Sequence, residues 1–169
     1  FDEKDARALG RTASGVRGIN IDDDDEVIGM IAYDPTAEDA QAHSLLVVSE
    51  HGYGKRSDFD EYRKTNRGGK GVKTLNITEK TGELVAMKNV TDENDLMIIN
   101  RSGLTIRMAV ADIKVAGRAT QGVRLINIKD GDSIAAISAV NKTEEDVPQQ
   151  PVEGAAEDQA SEPQNQINE

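Results

Sequence analysis

Residues 62–74 read YRKTNRGGKGVKT, with five cations (Arg63, Lys64, Arg67, Lys70 and Lys73) set among three glycines and no acid. Glycines beside a lysine can present backbone N–H groups to an anion, so phosphate binding is the chemistry this stretch could perform. A nucleotide phosphate loop also needs Ser or Thr directly after the lysine of its Gly-Lys pair. Lys70 is followed by Gly71, and Lys55, in the other such pair, by Arg56. The spacing therefore does not serve a nucleoside triphosphate. Catalytic constellations are missing as well. His43 and His51 flank an apolar run, cysteine is absent, and no serine sits in a nucleophile-elbow setting. The carboxylates fall in acidic runs without an apolar pocket to raise a pKa. The run DDDDE (22–26) lacks the spacing, glycine and terminal Glu of a helix-loop-helix calcium site, and reads as a solvent-facing turn. Neither catalytic residues nor metal ligands are expected.

The charge balance explains little until it is divided along the chain. The 169 residues carry a formal charge of -11, but residues 141–169 hold eight acids, one lysine and three of the four prolines without an aromatic residue. Such a segment cannot bury enough apolar surface to fold, so a disordered acidic tail is expected. It takes -7 of the charge and leaves -4 for residues 1–140. Tethered beside a basic surface, it is expected to compete with phosphates for cations and so weaken binding at low salt. The absence of cysteine fits a reducing, cytoplasmic setting, and no apolar run approaches the roughly 20 residues of a membrane helix. Phe1 is not an initiator methionine, which points to a chain cut from something longer.

Self-comparison shows the elements that must position the cations. GRTASGVRGINI from Gly10, NRGGKGVKTLNI from Asn66 and GRATQGVRLINI from Gly117 superpose, with Gly15, Gly71 and Gly122 spaced by 56 and 51 residues. Periods near 40 to 50 residues belong to propeller-like blades. The third unit offers strands at 96–100, 105–110, 123–128 and 133–140, and the second at 44–49, 52–57, 72–77 and 84–90. The first offers only 16–21 and 26–34, so their partner strands are expected upstream. The spacing predicts an all-β, partial propeller-like domain over 1–140 with blades of about four antiparallel strands, divided as 1–42, 43–95 and 96–140. Gly103 and Gly131 read as hairpin-turn glycines with positive φ, and the recurring glycines as bends before a strand.

The repeat places Arg11, Arg67 and Arg118 at one position and Arg17, Lys73 and Arg124 at another, so stacked blades would line equivalent cations along one rim. Such a stripe suits the evenly charged backbone of duplex DNA. Gly68 and Gly69 would let backbone N–H groups approach phosphates, and the lack of interleaved aromatics disfavours single-strand stacking. The expected contact residues are Arg11, Arg17, Lys55, Arg56, Arg63, Lys64, Arg67, Gly68, Gly69, Lys70, Gly71, Lys73, Arg107, Arg118 and Arg124. The competing reading is a solvated face balanced by Asp58, Asp60 and Glu61.

The motifs GYGKR (52–56), EYR (61–63), RGGKGV (67–72) and GRATQGVRLINI (117–128) together resemble the C-terminal domain of the bacterial DNA gyrase A protein. The resemblance covers residues 1–140. It implies a β-pinwheel in which blades exchange strands, with a basic rim that wraps DNA for ATP-dependent supercoiling. It also implies partnership with the rest of the gyrase A protein and with the gyrase B protein in a heterotetramer, with ATP and magnesium bound elsewhere and no cofactor here. The family's wrapping box reads Gln-Arg-Arg-Gly-Gly-Lys-Gly. Residues 67–71 match its end, whereas Thr65 and Asn66 depart from it, which makes this loop an auxiliary contact. Tyr33, Tyr53 and Tyr62 lack the context of the family's DNA-cleaving tyrosine. The corresponding C-terminal domain of topoisomerase IV and, from another class, a propeller-like protein-interaction module are the alternative readings.

Overall fold

The run SLLVVS forms strand β1 (Ser44–Ser49), in which every residue is buried. That pattern needs cover on both faces, and the computed structural model, which describes residues 1–129 and 131–142, supplies it. Leu46 and Val48 face a cluster with Leu96, Ile98 and Ile137 from the following unit. Leu45 and Val47 face Leu75, with Ile31, Phe59 and Tyr62 packed around them. A sheet stacked between neighbours in this way is the layer of a propeller-like assembly.

β1 pairs antiparallel with β2 (Tyr53–Asp58) on one side and with β3 (Leu84–Val90) on the other. The next unit repeats the plan. β4 (Asn94–Asn100) pairs with β5 (Thr105–Ala109), and β6 (Val123–Arg124) precedes β7 (Ile134–Asn141), which lies on the far side of β4. A β-bulge falls at Val48/Ser49 in one sheet and at Ile99/Asn100 in the other, one repeat apart. Gly103 and Gly131 adopt the expected positive φ of 88° and 84°. Among the described residues the helical turns are short 3-10 segments and the rest is strand or loop.

Two expectations are corrected. The sheets have the orders β3-β1-β2-β6 and β5-β4-β7, so the third unit does not keep its own fourth strand. β6 pairs with β2 of the preceding unit, Tyr53 opposite Arg124 and Gly54 opposite Val123. The linker before it continues along the same edge. Arg56 N donates to Lys114 O at 3.2 Å, and Ala116 N donates to Arg56 O at 2.8 Å. Strand exchange satisfies the outer edge of β2, which would otherwise expose unpaired backbone groups.

Second, 72–77, 16–21 and 26–34 do not join ladders. The repeat explains why for the first two: their equivalent, β6, pairs with β2 of the preceding unit, and the described residues hold no strand before β1 to receive them. Ile19, Leu75 and Ile126 are equivalent, and Leu75 and Ile126 are 2% and 6% exposed whereas Ile19 is 45% exposed. Leu75 packs against Leu45 and Val47, but no described segment supplies the layer that Ile19 would fill. Segment 26–34 packs instead of pairing. Ile31 joins the cluster beneath β1, and the Tyr33 ring stacks on Phe59 at 4.0 Å. The expected tail, apart from Asn141 and Lys142, lies outside the described residues.

Candidate nucleic-acid interface

The repeated glycine sets the geometry of each unit. Gly15, Gly71 and Gly122 have φ of 80°, 79° and 80°, a left-handed conformation that costs other residues roughly 1–2 kcal/mol. Each turns the chain out of a surface loop and into the segment bearing the next cation. That cation recurs with the same tether: Arg17 Nη1 donates to Asn20 Oδ1 at 3.2 Å, Lys73 Nζ to Asn76 Oδ1 at 2.9 Å, and Arg124 Nη1 to Asn127 Oδ1 at 3.2 Å. All three cations are exposed. A neutral amide holds the head group in place without cancelling its charge, which is what a reusable anion contact requires. The asparagines were visible in the repeat as its Asn-Ile ending, but sequence reasoning gave them no role.

Arg124 is held more firmly than its counterparts. Its Nε and Nη2 donate to the Tyr53 hydroxyl at 3.2 and 2.8 Å, and its guanidinium lies 5.3 Å from the Tyr53 ring centroid. This contact lowers the Tyr53 phenol below its ordinary value, chiefly through the hydrogen bond from Arg124. Tyr53 is thus a supporting residue that the sequence did not reveal.

The other repeat position behaves differently. Arg67 Nη1 donates to the backbone carbonyl of Arg17, and Arg118 Nη1 to that of Lys73. Both arginines are half-buried between units, whereas the equivalent Arg11 is exposed. Gly68 N donates to Gly18 O at 2.8 Å, and Gly69 O accepts from Asn20 N at 3.0 Å. The Gly68 N–H, expected to meet phosphate, and the Gly69 carbonyl instead join the loop to the preceding unit. Gly68 achieves this through a positive φ of 76°, which reverses its N–H as at the third position of a type II turn.

The remaining cations divide by burial. Lys55 is fully buried, and its ammonium donates to Gly117 O at 2.6 Å and Arg118 O at 2.5 Å. Burial pushes its pKa below the ordinary lysine value, opposed in part by Glu61. Arg56 is also buried, donating to Ile113 O at 2.9 Å and pairing with Asp92. Both side chains, expected among the contact residues, lie inside the blade junction, buried and committed to carbonyls and to Asp92. Arg107 bonds Asp95 at 2.7 Å on β5. At the loop surface, Lys64 pairs with Asp2 at 2.6 Å, and Lys70 with Asp22 at 3.4 Å. Exposed pairs of this kind are worth about 0–1 kcal/mol, so phosphates can displace the acids. Arg63 and Gly71 are exposed in the same loop.

Lys55 carries a stability prediction. Lys55→Met should destabilise the fold by about 1–3 kcal/mol, because the Gly117 and Arg118 carbonyls of the exchanged segment lose the Lys55 ammonium, Gly117 O keeping only its bonds from Thr120. The sign of its pH dependence follows from the lowered pKa: the unfolded chain binds the proton more tightly, so Lys55 favours folding increasingly as pH rises toward 10.5. Urea melts of both proteins at pH 7 and pH 9.5 should show a gap that widens with pH.

Comparisons with known proteins agree with this architecture. The family described as DNA gyrase C-terminal domain, beta-propeller, matches residues 1–34, 43–91 and 94–141. The DNA gyrase A protein of Staphylococcus epidermidis ATCC 12228 is 46% identical over 145 residues, 86% of this chain and 16% of that protein. Its counterpart in Staphylococcus aureus NCTC 8325 is 47% identical over 146 residues, with the same coverage of each chain. The chain therefore spans about one sixth of the length of these curated relatives. Among solved structures, a DNA gyrase A C-terminal domain superposes with a TM-score of 0.69 at 23% identity, covering 80% of this chain and 44% of that one. A DNA topoisomerase IV C-terminal domain gives 0.71 at 19% identity, covering 83% and 42%; at these identities both report the fold alone. A match across most of the chain, joined to relatives at 46–47% identity, places the chain in the DNA gyrase C-terminal domain family.

Proposed function

We propose that this chain binds duplex DNA through its phosphate backbone, independently of sequence, and serves as part of the wrapping domain of a DNA gyrase A protein. The observation that carries this reading is the cation tethered to an asparagine three residues on, repeated in all three units. Lys70, Arg63, Lys64 and Arg11 extend the charged surface around that row. The chain contributes no catalytic group to this reading. Strand passage, ATP and magnesium belong to other domains of the enzyme, which acts in the cytoplasm as a heterotetramer with the gyrase B protein. Phosphate neutralisation releases counterions, so affinity falls steeply with salt, and bending is repaid by many backbone contacts rather than base readout.

Titration of the 169-residue chain with two unrelated duplexes at about 50 and 200 mM salt tests the proposal. Equal affinities for both duplexes and a steep common salt slope are expected, and Lys73→Ala should lower that slope by about one. A flat slope would favour a protein-interaction module instead. The topoisomerase IV reading rests on the similar superposition of that domain, while relatives at 46–47% identity favour gyrase. Negative supercoiling by the intact enzyme supports gyrase, and relaxation or decatenation alone supports topoisomerase IV.

A further inference from the structure

Arg67 and Arg118 stand 51 residues apart at one repeat position and make the same contact. Each guanidinium donates to the backbone carbonyl of the residue that bears the tethered cation of the preceding unit, Arg17 in one case and Lys73 in the other. A backbone bond accompanies each contact at the other end of the same four residues: Asn20 N to Gly69 O at 3.0 Å, and Asn76 N to Thr120 O at 3.1 Å. The segment running from the cation to its asparagine is therefore pinned at both ends by the loop of the next unit. Arg67 gains a further hold through Nε to Asp5 O at 3.0 Å. Groups committed to carbonyls between units are poorly placed to meet a phosphate, in contrast to the exposed Arg17 and Lys73.

We propose that Arg67 and Arg118 are positioning residues, each acting on DNA through the one cation whose backbone it holds. The inference rests on the DNA-binding reading above. The choice of arginine follows from its planar fork, which fixes direction as well as distance, whereas a lysine head on a flexible stem fixes neither. Each junction is then a separate unit: Arg118 governs Lys73, and Arg67 governs Arg17.

Double-mutant cycles on duplex affinity at one low salt concentration test this, because coupling is expected only between groups that act through each other. Arg118→Lys, which keeps the charge, should weaken duplex binding by roughly threefold to tenfold. In a Lys73→Ala background the same change should have less than about a twofold effect, while in an Arg17→Ala background it should keep its full effect. Arg67→Lys should show the reverse pattern, coupled to Arg17 and independent of Lys73. A salt slope lowered by Arg118→Lys in the parental chain but not in the Lys73→Ala chain completes the expectation, since the phosphate contact weakened is that of Lys73, and Arg67→Lys should behave likewise toward Arg17. Thermal melts of each variant identify any loss due to unfolding, which would be equal in both backgrounds and would overturn the proposal. So would multiplicative effects of Arg118→Lys and Lys73→Ala, or no effect of Arg118→Lys on affinity. A flat salt slope in the unmodified chain would refute the DNA-binding reading before any variant is compared.

Discussion

Gly122→Ala should cost about 2–5 kcal/mol of folding stability, the sum of a conformational and a packing penalty. Its φ of 80° alone penalises a side chain by roughly 1–2 kcal/mol. The added methyl would also stand 2.6 Å from the Gly54 carbonyl oxygen and 2.9 Å from its carbon, and such overpacking costs about 1–3 kcal/mol more. These are backbone atoms of β2, so they cannot rotate away as a side chain can. Relief requires the exchanged segment to lift from β2, where β6 makes its ladder. Gly15→Ala provides the control, because Gly15 has the same φ of 80° but nothing within 4 Å of the new methyl. It should lose only the conformational share. Urea melts of the two variants that agree within error would mean that close approach at the exchanged strand contributes nothing.

The second large effect is on DNA. Substituting Arg17, Lys73 and Arg124 together by alanine should reduce the slope of log affinity against log salt by about 2.7, at roughly 0.9 for each phosphate released. Stability should change little at the two freely exposed positions, where surface substitutions fall within about 0.5 kcal/mol. Arg124 also supports Tyr53, so Arg124→Lys is a companion that preserves charge while losing the fork. A triple variant that keeps the parental slope would move the interface elsewhere on the molecule.

The sequence made the repeat legible because recurring cations and glycines need no knowledge of contacts. It identified β1, β3, β4, β5 and β7 because these have apolar or β-branched runs. Strand exchange was not derivable from the residues, since VRLINI (123–128) has the same strand pattern whichever sheet it joins; it came only as an implication of resemblance. The same limit applies to charge. Lys55 and Arg56 look like exposed cations in GYGKRS (52–57), yet the incoming segment 113–118 buries them and uses their donors. Arg67 and Arg118 were grouped with the rim because their charge repeats, whereas their hydrogen bonds show that the repeated feature is a junction. Tethering by asparagine was recorded in the motif but could not be distinguished from a packing requirement without coordinates.

Lysine acetylation footprinting, with and without saturating duplex DNA, tests the central claim most directly because each side chain reports separately. Lys73 and Lys70 are exposed on the proposed face, whereas Lys88 is exposed on β3, at the edge of its sheet opposite β6. The account predicts that DNA protects Lys73 and Lys70 severalfold and leaves Lys88 as reactive as before. Unchanged reactivity at Lys73 under saturating DNA, or protection of Lys88 equal to that of Lys73, would contradict it.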